Sequence, residues 1–171
     1  MAESENPIPG EPLPVGRFEG RTEFQQGVRA ALAVAARAGW RELILSDTDF
    51  GDWPLGEKEV IESLQAWARN GRRMVLLAGD FQALVRSQPR FVQWRVRWDH
   101  ILSARKVRGL AGQEVPSVLW SPHWVLQRLD PQRCYGVSGS EPERLVLQRE
   151  TLQEWIDNRS GPGFPASVLG L

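Results

Sequence analysis

The sequence has very little of what disulfides, cysteine-based metal centres and membrane spans require. A single cysteine, Cys134, excludes an intramolecular disulfide and a cysteine-based zinc cluster. No apolar run approaches the roughly 18 residues that a membrane-spanning helix needs. The first residues contain neither a basic segment nor an apolar stretch and therefore do not resemble a secretory signal. We expect no membrane span and a cytoplasmic location.

Charge is balanced in total but uneven in kind. The chain has 21 Lys plus Arg against 21 Asp plus Glu, so it offers no global attraction to nucleic acid or to an anionic membrane. Only Lys58 and Lys106 are lysines, and every other basic residue is an arginine. A GC-rich coding sequence explains the excess of arginine over lysine. The functional alternative is selection for guanidinium groups that bind phosphate or carboxylate through two hydrogen bonds.

The length of 171 residues suits one domain, which we place at residues 17–158. Residues 1–16 are rich in proline and acidic residues, which predicts a disordered or extended tail. Residues 159–171 contain glycine, proline and few charges, which predicts a second loose tail.

Hydrophobic periodicity predicts alternating helices and strands in the first half of the domain. A capping box formed by Thr22 and Gln25 opens a helix that Gly39 ends. Residues 41–46 and 73–78 are short apolar runs typical of buried strands, and a helical pattern at 57–70 joins them. This order predicts a βαβ unit with parallel strands.

The second half of the domain has shorter and less regular patterns. We predict a short helix at 80–86 and a longer one from 89 to about 104, whose apolar stripe includes Phe91, Trp94 and Trp98. Strand-like pieces follow, and a final helix closes the domain. Those pieces are 117–121, 124–130, 134–138 and 145–147, with the helix at 149–158. The fold class is therefore α/β, with a mixed, largely parallel sheet and flanking helices.

The segment from His123 to Asp130 has the spacing of a known catalytic motif. A histidine there can act as a nucleophile, and an aspartate can set its tautomer and raise its basicity. The spacing resembles the phospholipase D superfamily, whose motif is H-x-K-x4-D followed by a Gly-Ser segment; Ser138 and Ser140 flank a glycine at about the right place. The resemblance implies one half of that fold, with phosphate bound near these serines.

Val125 replaces the lysine that binds phosphate in that family. A valine cannot stabilise the charge of a phosphoryl transition state. Arg128 could supply a substitute cation, but its odd spacing from His123 places it on the other strand face. The family builds one site from two motifs, so activity here would require a homodimer. The leading hypothesis is therefore a non-catalytic binding or scaffolding module, and the alternative is a phosphodiesterase active only as a dimer through His123.

Asp47 and Asp49 form a second candidate site. They follow an apolar strand, where α/β proteins bind ligands, and Asp-x-Asp resembles the start of haloacid-dehalogenase-like phosphatases that use Mg²⁺. Phe50 stands where that family has glycine, and no later acidic pair follows a strand. The simpler interpretation is that both aspartates cap turns. We expect no cofactor and no metal, with a metal at Asp47 and Asp49 as the weaker alternative.

Residues 86–108 contain seven basic residues and one acidic residue. If the aromatic residues among them were exposed, the segment would resemble a nucleic-acid surface. Helical spacing instead places the aromatics in the core, with arginines around them. Arg90, Arg97 and Arg105 are the candidate contacts for a phosphate-bearing or acidic partner.

Overall fold

The computed structural model describes residues 13–70 and 72–164, which form a mixed α/β fold. The strands are β1 (Gly16–Glu19), β2 (Glu42–Asp47), β3 (Arg73–Ala78), β4 (Leu102–Val107), β5 (Ser117–Trp120), β6 (Val125–Asp130), β7 (Tyr135–Gly139) and β8 (Ser160–Pro162). The helices are α1 (Arg21–Ala38), α2 (Lys58–Ala68), α3 (Gln82–Ser87), α4 (Pro89–Arg97) and α5 (Pro142–Asn158). No described helix is both long and apolar enough to cross a membrane.

The eight strands form one sheet in the order β1-β7-β6-β5-β2-β3-β4-β8. Only β2 with β3 and β3 with β4 are parallel, and the other pairs are antiparallel. A mixed sheet is confirmed, but the prediction that it is largely parallel is wrong. The physical reason is that β5, β6 and β7 are joined by short turns, and a short turn can only join antiparallel neighbours.

Helices cover both faces of the sheet. Alternate strand residues face one core shared with α1, α2 and α4, whose buried side chains include Phe24, Leu64 and Phe91. The intervening strand residues face a smaller core that Leu152 and Trp155 of α5 close. The two faces therefore carry different helices, and α4 and α5 lie on opposite sides of the sheet.

The predicted βαβ unit is confirmed, with β2 and β3 parallel and α2 between them. Helix α1 also ends as predicted, since Gly39 adopts the left-handed conformation there. The predicted capping box is wrong, because Gly20 occupies the N-cap position and no side chain caps it. The Glu23 carboxylate instead accepts a hydrogen bond from the backbone N–H of Glu19.

Two predictions in the second half of the domain are wrong in element type. The helix expected to reach residue 104 ends at Arg97, and residues 102–107 form β4 because they pair with β3 in register from Leu102 and Met74 onward. Residues 145–147, expected as a strand, lie inside α5. That helix begins at Pro142, where a missing N–H costs nothing and the fixed φ favours helix.

The inner ends of both predicted tails belong to the fold. Within the region assigned to the N-terminal tail, Gly16 begins β1, and the Pro14 carbonyl accepts hydrogen bonds from Trp124 Nε1 at 2.9 Å and Ser138 Oγ at 3.0 Å. Within the predicted C-terminal tail, β8 pairs with β4. The remaining tail predictions, for residues 1–12 and 165–171, lie outside the described residues.

Two glycines of β7 provide a test of packing between the outer strands. A Cβ on Gly136 would overlap the Gln127 carbonyl oxygen and the Phe18 ring, whereas a Cβ on Gly139 would meet only the flexible carboxylate of Glu141. We expect Gly136→Ala to lower the free energy of unfolding by about 2 kcal/mol or more, because backbone must move. Gly139→Ala should change it by less than about 0.5 kcal/mol. Urea denaturation of both variants measures the difference, and equal losses would contradict this packing.

Candidate functional site

The carboxyl end of β2 is occupied by an arginine that reaches across from β6. Arg128 NH2 lies 2.9 Å from Asp47 Oδ1, and NH1 lies 2.6 Å from Asp52 Oδ2. The side chains of Arg128 and Asp47 are only 2% and 5% exposed. The place where an α/β protein usually binds its ligand is thus filled by the chain's own ion pairs.

The remaining groups around Arg128 complete a closed cluster. Its Nε donates to Ser117 Oγ at 3.0 Å, NH1 contacts Cys134 Sγ at 3.2 Å, and Cζ lies 4.2 Å from the centre of the Phe24 ring. Burial disfavours the charged form, but the hydrogen bond to Asp52 and the field of Asp47 outweigh it and raise the pKa of Arg128 above its ordinary value. The guanidinium stays protonated and remains bound within the cluster.

The two aspartates of the predicted metal site do not converge on an open point. Asp47 Oδ2 accepts backbone N–H groups of Asp49 and Phe50, and Asp49 Oδ1 accepts that of Gly51. This is the turn-capping geometry that the simpler interpretation expects. Among the described residues, no group of three or more His, Cys, Asp or Glu side chains is placed to hold a metal ion.

His123 and Asp130 lie at opposite ends of β6. His123 is exposed and its ring stacks on Trp40 with centroids 5.7 Å apart. Asp130 Oδ1 caps the turn that leads into β7. The two ends of β6 are about 17 Å apart at the rise of an extended strand, so the structure does not bring the pair together.

The other positions of the family motif are in part taken up by internal contacts. Val125 is fully buried on the α5 side of the sheet, and its strand partner is Gly139. The Gly-Ser segment therefore lies beside the His123 end of β6. Ser138 is buried and donates to the Pro14 carbonyl, whereas Ser140 is exposed. Of the motif residues at this end, His123 and Ser140 are exposed.

The basic segment 86–108 divides into structural and exposed cations. Arg95 is buried and binds Asp99 Oδ1 at 2.7 Å and the Phe164 carbonyl at 2.6 Å. Arg105, a predicted contact for a partner, instead donates to Ser160 and to the Ile156 carbonyl. The exposed cations are Arg86, Arg90, Arg97, Lys106 and Arg108. The expected core role of Phe91 and Trp94 is confirmed, since both are buried.

An open groove of about 420 Å³ lies between α3 and the carboxyl ends of β3 and β4. It is lined by Asp80, Phe81, Gln82, Val85, Arg86, Lys106 and Phe164. Arg86 and Lys106 form no salt bridge with a carboxylate of the residues that the structure describes. One Asp80 carboxylate oxygen is engaged, because it accepts the N–H of Gln82 at 2.6 Å. The groove therefore presents two cations and one partly engaged carboxylate.

Two features at the carboxyl ends of β2, β3 and β4 were not predicted from the sequence. The role of Asp52, which binds Arg128, was not predicted. A sequence signal exists, because Arg128 shares a strand face with the apolar Leu126, and an arginine on a buried face requires a carboxylate. No local sequence pattern indicates the groove, because Phe164 and Lys106 are brought together by the pairing of β8 with β4.

Comparison with known proteins gives a likeness in fold. No protein-family profile and no curated protein matches the chain. Among solved structures it is similar to TrmBL2, described as an archaeal chromatin protein whose structure shows a novel mode of DNA binding. The TM-score is 0.62 at 16% identity, over 93% of this chain and 57% of that one. The chain thus spans little more than half of TrmBL2, and the likeness concerns the fold alone.

Removal of the buried cation tests the Arg128 cluster. Arg128→Met should lower the free energy of unfolding by about 3–5 kcal/mol, because Asp47 is left buried without a counter-charge. Adding Asp47→Asn should recover part of that loss, which a double-mutant cycle measures. The control is Arg149→Met, which removes a half-exposed pair with Glu42 and should cost about 1 kcal/mol or less. Equal losses of unfolding free energy in Arg128→Met and Arg149→Met would contradict a stabilising role for the Arg128 cluster.

Proposed function

We propose that the protein is a non-catalytic binding module that takes a phosphate-bearing partner at the groove between α3 and β4. The observation that carries the proposal is the pair Arg86 and Lys106, two exposed cations that line one groove without a salt-bridge partner in the described chain. Guanidinium and ammonium groups at one opening attract and hydrogen-bond phosphate oxygens.

The position of the groove supports this proposal. It lies at the carboxyl ends of β3 and β4, on the edge of a parallel strand pair where ligands commonly bind. The neighbouring end of β2 is closed by Arg128, so the β3–β4 end is the accessible part of this edge. The exposed Arg90, Arg97 and Arg108 add positive charge along the same segment.

Among the residues that the structure describes, no catalytic group is assembled around His123, which favours binding over catalysis. We propose that the chain descends from a phospholipase-D-like half whose motif lost its lysine at Val125. Two observations support the loss of activity: Val125 is fully buried, and Asp130 caps a turn far from His123. A dimeric phosphodiesterase through His123 has no such support, because the ring is stacked on Trp40 and does not line the groove.

The fold likeness is compatible with a phosphate-bearing partner. TrmBL2 is described as binding DNA. At zero net charge, attraction to such a partner must come from a local patch of cations. DNA is therefore a suitable probe for the groove.

Charge reversal at the groove tests the proposed binding. Arg86→Glu with Lys106→Glu should weaken binding of a short fluorescent DNA duplex at least 10-fold in fluorescence anisotropy at low salt. The slope of log affinity against log salt should also become shallower, because fewer phosphates are neutralised. The control is Arg37→Glu with Lys58→Glu, two exposed cations on α1 and α2 with the same change in net charge.

The control should bind within 2-fold of the unmodified protein. Equal weakening by both pairs would show that only overall charge matters and would overturn the groove as the binding site. Polyglutamate provides a further comparison: binding as tight as that of DNA would show an acidic partner and not a phosphate-bearing one.

The non-catalytic part of the proposal has a separate test. Hydrolysis of bis(p-nitrophenyl) phosphate by the purified protein should equal that of His123→Ala, because neither has a phosphate-binding group beside residue 123. Release of p-nitrophenol measures both rates. Turnover that His123→Ala abolishes, in a protein that still folds by circular dichroism, would refute the proposal.

A further inference from the structure

We infer that copies of this chain associate head to tail, with the outer face of α5 on one copy docked against the outer face of α4 on the next. The inference does not depend on the proposed function, because it uses neither Arg86 nor Lys106. It rests on the exposed side chains of the two helices, which are complementary in charge and similar in spacing.

The outer face of α5 combines exposed apolar residues with acidic ones. Val146 and Leu147 are 57% and 59% exposed and adjoin each other, and adjoining exposed apolar side chains are typical of contact surfaces. They lie between Glu143 and Glu150 and, together with Pro142, these residues line a shallow groove of about 360 Å³. Neither glutamate forms a salt bridge with another described residue. This face is apolar at its centre and negative at both ends.

The outer face of α4 has the opposite charge. Arg90 and Arg97 are exposed, and Gln93, which lies between them on the same side of the helix, is exposed as well. Arg90 makes one hydrogen bond, to the Gly56 carbonyl at 3.1 Å, and no salt bridge to a described residue holds either arginine. Both guanidinium groups therefore retain donors for a carboxylate of another molecule.

The two faces match in dimension. Glu143 and Glu150 are seven residues apart, as are Arg90 and Arg97, so each pair lies on one side of its helix with a separation of about 10.5 Å. One α5 laid along one α4 can therefore pair both glutamates with both arginines. The same arrangement covers Val146 and Leu147, which lie between the two glutamates of α5.

Like charges disfavour the symmetric alternatives. Packing α5 against α5 would oppose Glu143 and Glu150 with other glutamates, and packing α4 against α4 would oppose arginines. Because α4 and α5 lie on opposite faces of the sheet, the mixed contact leaves a free α5 at one end and a free α4 at the other. Such a heterologous contact propagates into open chains unless its rotation closes a ring.

The contact is small, so the association is weak and salt-sensitive. Two helix faces bury less area than a stable dimer interface, and their exposed charges are screened by salt. The zero net charge of the chain removes the overall repulsion that would otherwise oppose it.

Sedimentation velocity across protein concentrations tests the inference on the full chain. The weight-average mass should rise with concentration at low salt and fall back to the monomer value at about 0.5 M salt. Glu143→Arg with Glu150→Arg should be monomeric at every concentration, as should Arg90→Glu with Arg97→Glu. An equimolar mixture of the two variants should regain association, because each reversed helix again meets its opposite charge.

The matched control is Glu62→Arg with Glu114→Arg, two exposed glutamates outside α5 with the same charge change, which should associate like the unmodified protein. Should a reversed variant unfold by circular dichroism, Val146→Ser with Leu147→Ser provides a second test and should lower the association constant at least 5-fold. A chain that stays monomeric at low salt, or a mixture that stays monomeric, overturns the inference.

Discussion

The ion pairs of Arg128 with Asp47 and Asp52 are the contact on which the arrangement of the sheet depends. Arg128 lies on β6 in the antiparallel part, whereas Asp47 ends β2 in the parallel part and Asp52 lies in the loop after it. Removing these charges from water is costly, and the cost is offset only when each has its partner. A shifted register between the two parts would leave buried charges unpaired. The cluster therefore specifies how the two parts of the sheet meet.

The same cluster determines which part of the sheet's carboxyl edge is open. Closing the end of β2 removes the usual ligand position of a parallel sheet and leaves the edge at β3 and β4 open. That edge exists because β8 pairs with β4 and places Phe164 beside Phe81, with ring centroids 4.9 Å apart. Arg95 holds this arrangement through the Phe164 carbonyl. A buried arginine thus supports the groove, while exposed cations line it.

Sequence patterns predicted those elements that carry their own periodicity. The βαβ unit from β2 to β3 was found because each strand has an apolar centre and its helix has a regular apolar stripe. β1, β4 and β8 were missed because their structure comes from pairing with distant strands, and no local pattern encodes that pairing. The motif spacing from His123 to Asp130 suggested that the two side chains lie close together. Because the segment between them is an extended strand, they lie at its opposite ends, and the Asp130 carboxylate does not contact the His123 ring.

The net charge of zero does not describe how charged side chains are distributed over the surface. Exposed cations on α3, α4 and the end of β4 lie on one face and edge of the sheet. Glu143 and Glu150 lie on the outer face of α5, on the opposite side. A zero total charge therefore coexists with local regions of opposite sign, and such regions attract at short range even when the total charge gives no long-range field. Arg90 and Arg97 are not among the residues that line the groove, so the proposed binding in the groove and the proposed contact on α4 use different side chains.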